Sequence, residues 1–217
     1  MIFHLPTNIL PFGPSLFWTL IIILKVKTFK LKKGEIIYKS GDDVEGIFVI
    51  KRGKVRTYFL IQDGKEFSLE VLIKNDVFGS LDGEVEEFAE AFEDCELIFI
   101  PKWELKDLKN GVAVGLISAL SKRNSFLKRR IKELVLLPLE QRIKPTILYL
   151  AEILGKRKNG FVELNLSHQE LSSFLGASRE CTSKILKFME QNGEIKISRR
   201  KIVVHLNFFD NKFEDRL

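Results

Sequence analysis

Near residue 111 the hydrophobic pattern of this 217-residue chain changes period, and few folds accommodate both halves. Before that point short apolar or alternating runs recur: Glu35–Tyr38, Gly46–Ile50, Val55–Leu60, Phe67–Leu72 and Leu97–Ile100. Turn signals separate them at Lys33-Gly34, Gly41-Asp42, Arg52-Gly53, Asp63-Gly64 and Asn75-Asp76. Strands spaced by roughly 8–12 residues predict an all-β roll or barrel. Gly53 and Gly64 stand where hairpins need positive φ. From Gly111 onward, Ala113, Ile117, Leu120, Asn124, Leu127, Ile131 and Leu134 follow the 3-4 alternation of a coiled coil. Two arrangements fit that spacing: an amphipathic helix on its own domain, or a parallel two-stranded seam with Asn124 fixing register. Pro138 breaks the helix and marks a hinge. Leu139–Leu154 reads as a further helix kinked at Pro145, and Gly155–Gly160 as a charged loop.

The charge divides along the same line. Residues 1–121 carry 15 basic and 18 acidic side chains, residues 122–137 carry 6 and 1, and residues 138–217 carry 14 and 10. A basic C-terminal part points to a polyanionic partner. Two distant cysteines, Cys95 and Cys181, match no metal or redox spacing and fit a reducing cytoplasm. The apolar stretch Leu16–Leu24 is about half the ~20 residues a bilayer crossing needs. No basic segment precedes it, so a buried helix or first strand is expected, with no membrane association. Walker, GxSxG, HExxH and Cys/His dyad patterns are absent, and three scattered His form no metal motif, which argues against an enzyme.

The segment Leu166–Ile195 is the most informative. Ser167 followed by Glu170 is a capping box that opens a short helix. Leu171 and Leu175 make its apolar face, and Gly176 permits a tight turn. Ser178 caps a second helix, buried through Ile185, Leu186 and Met189 and ended near Gly193. Two helices joined by a short Gly-containing turn are a helix-turn-helix. Ile195–Ser198 and Ile202–Leu206 then form a hairpin wing around Arg199, Arg200 and Lys201. The second helix leaves Arg179, Glu180, Ser183, Lys184 and Lys187 outward. Arg179 and Lys184 can donate to guanine, and Glu180 can accept from cytosine. Ser167, His168, Gln169, Ser178, Lys187 and the three wing residues suit phosphates, which fix register without reading sequence.

Several stretches carry a resemblance to the CRP/FNR family of bacterial transcription regulators, covering roughly residues 30–206. They are LSHQELSSFLGASRECTSKILKFME, the segment LLPLEQRI (Leu136–Ile143), and Gly34–Gly79, which resembles a cyclic-nucleotide-binding domain. The resemblance implies an α+β chain with four parts. These are an N-terminal segment (1–29), a jelly-roll-like double-stranded β-helix (30–110), a dimerisation helix and hinge (111–137), and a winged helix-turn-helix (138–217). It favours the seam, hence a homodimer on double-stranded DNA, contacting RNA polymerase if it activates. Arg179, Glu180 and Lys184 match the family's base-reading set, and Ser183 a position that shifts preference between family branches. The implied half-site is of TGTGA or TTGA type. Two residues depart from the pattern: Lys184 stands where Arg is usual and Cys181 where a phosphate-contacting Thr is usual. A signalling module without DNA affinity is the rival.

The family also suggests cyclic AMP, and the residues argue against it. A cyclic phosphate needs an Arg and hydrogen-bond donors after Phe78-Gly79. Here Ser80 replaces the usual Glu, Ser80–Glu96 holds no Lys or Arg, and eight acidic residues would repel a phosphate. Two cysteines cannot hold an iron–sulfur cluster, and Leu81 stands where the haem-sensing branch has His. His4 is a lone tail histidine. No cofactor or metal is therefore expected. Any effector would sit between roll and helix, near Phe78, Gly79, Ser80, Leu81 and Asn124; otherwise the roll binds nothing.

Overall fold

The computed structural model describes residues 27–108 and 110–205. The expectations for Leu16–Leu24, for His4 and for the end of the wing at Leu206 lie outside the described residues.

Eight strands open the chain: β1 (Lys27–Leu31), β2 (Ile36–Tyr38), β3 (Asp43–Arg52), β4 (Val55–Leu60), β5 (Glu66–Leu72), β6 (Val77–Glu84), β7 (Phe88–Ala91) and β8 (Cys95–Pro101). They form two antiparallel sheets ordered β1-β8-β3-β6 and β2-β7-β4-β5. Alternation along each strand sends one set of side chains between the sheets. Ile50, Phe78 and Leu97 from one sheet meet Tyr38, Val55, Leu72 and Ala89 from the other. Aromatic packing fills the middle, with the Phe48 ring 5.2 Å from Phe78 and 4.8 Å from Phe99. The β3–β4 turn needs glycine at position 53. Its φ is +89°, and a Cβ there would lie 2.5 Å from the Asp94 carbonyl oxygen.

A 3-10 stretch, Lys102–Asp107, leads into α1 (Asn110–Leu136). Val112, Leu116 and Ala119 of α1 pack on Ile47, Val49, Val77, Ile98 and Ile100, so the helix lies on the outer face of the first sheet. Leu137 and Pro138 connect it to the C-terminal domain. That domain comprises α2 (Leu139–Leu154), β9 (Lys156–Lys158), β10 (Phe161–Leu164), α3 (His168–Leu175), α4 (Arg179–Gln191), β11 (Ile195–Ser198) and β12 (Lys201–His205). Its sheet runs β11-β12-β10-β9. α2 continues through Pro145 without interruption.

The 155–160 segment, expected as a loop, instead makes the edge strand β9 and a turn at Asn159-Gly160, both at positive φ. Lys156, Arg157 and Lys158 are all exposed, so no apolar alternation announced the strand. Charge on an edge strand also blunts edge-to-edge aggregation.

The two domains touch directly. Val71 of β5 belongs to the C-terminal core cluster. Its N–H donates to the Tyr149 hydroxyl at 2.8 Å, and that hydroxyl lies 3.3 Å from the Val71 carbonyl. Ser68 and Ser173 hydroxyls meet at 2.8 Å, and Arg130 donates to the Phe174 carbonyl. Among the described residues no helix is long and apolar enough to cross a membrane.

Candidate nucleic-acid interface

The geometry of α3 and α4 follows from local capping. The Ser167 hydroxyl accepts from the Glu170 N–H at 3.1 Å, and the Ser167 N–H donates to Glu170 Oε2 at 2.7 Å. This reciprocal box fixes the start of α3. Gly176 ends it at φ +61° in the left-handed region. The Ser178 hydroxyl then accepts from the Cys181 N–H at 3.1 Å and starts α4. On α4, Thr182, Leu186 and Met189 are buried at helical spacing. Arg179, Glu180, Lys184 and Lys187 are consequently exposed, the last three along one stripe.

The Glu180 carboxyl sits below the usual carboxylate range. Its own free backbone N–H at the helix start and the Ser178 hydroxyl bond to it, and the Arg179 and Lys65 charges favour its ionised form. Arg179, Lys184 and Lys187 make no ion pair among the described residues. This end of α4 presents three cations and an ionised carboxylate to solvent.

The remaining residues predicted to contact DNA divide into two sets. Ser183 is half-buried, with its hydroxyl 2.8 Å from His168 Nδ1, so two of them bond each other. Ser167 is engaged in its cap, and Lys201 pairs with Glu163 at 2.9 Å. Arg200, exposed in the wing turn at φ +56°, lies 3.7 Å from Glu170 Oε2. Gln169, Ser178, Lys187 and Arg199 are exposed.

Along α1 the predicted seam divides as well. Ile117, Leu120, Asn124 and Ile131 face solvent, Ile117 at 66% and Ile131 at 60% exposure. Ala113, Leu127 and Leu134 are half-buried within the protomer, and Leu134 approaches the Gly176 turn. Val114, Val135 and Leu136 are exposed apolar residues that the heptad reading missed. A straight α-helix drifts about 20° per heptad against a 3.5 repeat, which carries the stripe off a strict a/d assignment.

The residues named for an effector site divide between β6 and α1. Phe78 is buried against Phe48, and Gly79 crosses closely over the Gly46 carbonyl. The Ser80 hydroxyl accepts from the Asp82 N–H, while Leu81 and Asn124 are exposed. A cavity of about 620 Å³ lies where β5, α1 and α2 meet, with Glu70, Asp76, Arg123, Phe126 and Tyr149 in its wall. The acidic run is also less bare than its count implies. Glu87 lies 3.6 Å from Arg123, and Glu90, Glu93, Asp94 and Glu96 pair with Arg56, Lys54, Lys32 and Lys51 at 2.8 Å each.

The 3-4 spacing counts Arg130 and Arg123 among the exposed positions of α1, but Arg130 is buried and Arg123 turns inward. The Arg123 guanidinium reaches Glu70 at 2.6 Å, and the Tyr38 hydroxyl donates to Glu87 at 3.1 Å. Burial pushes the Glu70 carboxyl up, opposed by the Arg123 charge. The spacing 112, 116, 119, 123, 126, 130 marks the inward face of α1 and could have exposed it.

Comparison with known proteins agrees with this layout. A cyclic nucleotide-binding domain model matches residues 28–111, and a Crp-like helix-turn-helix domain model matches residues 141–207. The anaerobic regulatory protein of Bacillus subtilis is 26% identical over 81% of this chain and 79% of its own. The cAMP-activated global transcriptional regulator Vfr of Pseudomonas aeruginosa is 26% identical over 79% of this chain and 86% of its own. A CRP/FNR-family regulator from Thermus thermophilus shares the fold with a TM-score of 0.76 at 24% identity, covering 85% of this chain and 96% of that one. The two matches define a DNA-binding transcription regulator whose β-roll is of the cyclic nucleotide-binding-domain type. The chain belongs to the CRP/FNR family.

Proposed function

We propose that the protein works as a cytoplasmic homodimer that reads a palindrome with TGTGA- or TTGA-like half-sites. The observation that carries this reading is the exposed, unpaired end of α4 bearing Arg179, Glu180 and Lys184. Arg179 and Lys184 supply donors for guanine O6 and N7, and the ionised Glu180 accepts from cytosine N4. Gln169, Ser178, Lys187 and Arg199 supply phosphate contacts around them. The exposed stripe Val114, Ile117, Leu120, Ile131 and Val135 is the self-complementary surface of a two-fold dimer. Two α4 helices would then enter successive major grooves about 34 Å apart.

Cyclic AMP control is not part of the proposal. Ser80–Glu84 continues as strand β6, and no Lys or Arg occurs between Lys74 and Lys102 to hold a phosphate there. Effectors that bind elsewhere would bias the DNA-binding domain about Leu137-Pro138, shifting an existing equilibrium. As an activator the dimer would also contact RNA polymerase. No catalytic role is assigned.

Fluorescence anisotropy on effector-free protein tests the reading, with TGTGA and TTGAT palindromes and a scrambled duplex at two salt concentrations. Preference for one palindrome at both salts is expected. Equal, salt-limited binding to all three would count against it.

A further inference from the structure

The sensor-type β-roll reaches the DNA-reading end of the molecule along an ordered row of contacts. At the inner end of β5, the backbone of Val71 bonds the Tyr149 hydroxyl of α2. Closer to the β4–β5 hairpin tip, Ser68 meets Ser173 of α3. One residue further, the Phe67 ring lies against Gly176, where an added Cβ would come within 3.0 Å of it. The partners thus advance from α2 through α3 to the inter-helix turn as β5 runs toward its tip. Beyond that turn in the chain come Ser178, Arg179 and Glu180, the start of α4.

The tip is closed by the Ile61 N–H donating to the Lys65 carbonyl at 2.8 Å. Lys65 is exposed and makes no ion pair among the described residues. Its neighbour Glu66 pairs with Arg56 at 2.7 Å, a cation it shares with Glu90, and Asp63 is the other carboxylate of the tip. The influence of Lys65 on the Glu180 carboxyl agrees with this placement.

We propose that the β4–β5 hairpin forms one end of the DNA interface, with Lys65 donating to a phosphate that flanks the half-site read by Arg179 and Glu180. The inference rests on α4 being the recognition helix. An ammonium on a flexible stem binds phosphate as a point charge, so Lys65 adds affinity and register rather than base preference. DNA that engages α4 and Lys65 together also favours the arrangement in which roll and DNA-binding domain are docked.

The test is anisotropy on the full chain, comparing wild type, Lys65→Ala, Lys65→Arg, Lys39→Ala and Arg179→Ala across a salt series. Lys39 follows β2, at the sheet edge opposite β5, and controls for net charge. Lys65→Ala is expected to weaken specific and scrambled duplexes by a common factor. Its slope of log affinity against log salt should fall by about 0.9 per protomer, or about 1.8 for the dimer. Lys65→Arg should keep the wild-type slope. An unchanged slope in Lys65→Ala, a change matched by Lys39→Ala, or tighter binding would each overturn the proposal. Equal binding of every duplex by wild type would sink the recognition-helix reading and this proposal with it. A wild-type preference lost in Arg179→Ala, beside an unchanged slope in Lys65→Ala, would sink the hairpin alone.

Discussion

The β-roll with α1 and the start of α4 are both rich in charge, and they treat it in opposite ways. In the roll and α1, cations and carboxylates satisfy one another: Arg123 with Glu70 and Glu87, Arg56 with Glu66 and Glu90, and lysines with Glu93, Asp94 and Glu96. At α4, Arg179, Lys184 and Lys187 point to water without a carboxylate partner. Side chains that pair internally hold the fold, whereas those left free are available to a polyanion. Arg123, paired on the inward face of α1, and Arg179, free on α4, therefore have different work, although both are arginines on helices.

Four variants would break or sharpen that contrast, in descending order of effect. Ile117→Asp with Ile131→Asp places charge on the exposed α1 stripe. It should give monomers by light scattering and weaken palindrome binding by about 10²-fold or more, since two linked half-sites bind with avidity. A stable dimer would exclude the stripe as the dimer interface.

Arg123→Ala comes next, because it strands the buried Glu70 carboxylate. Chemical denaturation should show a loss of about 3 kcal/mol, with operator preference intact. Burial raises the folded-state pKa of Glu70, so the ionised carboxylate penalises folding only where it is charged. The penalty is absent below the unfolded pKa and complete above the folded one, so the loss should grow as pH rises between them. A loss under about 0.5 kcal/mol would place the roll's pairs with ordinary surface pairs.

Arg179→Ala should reverse this pattern, weakening operator binding by about 1–3 kcal/mol and relaxing one base position. Its stability should stay within about 0.5 kcal/mol of wild type, as at other exposed sites. Ser167→Ala should cost about 1 kcal/mol of thermal stability by removing the α3 cap, with no change in site preference. An altered preference would show that the Ser167 hydroxyl reaches DNA despite its bond to Glu170.

The α3–turn–α4 unit was legible because its signals are local: Ser167 with Glu170, Gly176, and Ser178 each act within a few residues. The strand runs of the roll were legible where apolar residues alternate, as in β4 and β5. β6 and β7 were harder, since their segment mixes glycine and acid with few apolar positions. β9, all Lys and Arg, carried no strand signal. The pairing of the acidic run joins residues 34 to 62 positions apart, such as Glu90 with Arg56 and Asp94 with Lys32. Composition counts those charges but cannot match them. The inward register of α1 was hard to read because Arg123 and Arg130 interrupt its apolar positions Val112, Leu116, Ala119 and Phe126.

The central claim is that the free charges of α4 read DNA bases, and selection from random-sequence duplexes with wild type and Arg179→Ala tests it most directly. The account predicts a palindromic consensus for wild type and, for Arg179→Ala, the same palindrome with one symmetric position relaxed. A wild-type pool without consensus, or an identical consensus from both proteins, would contradict it.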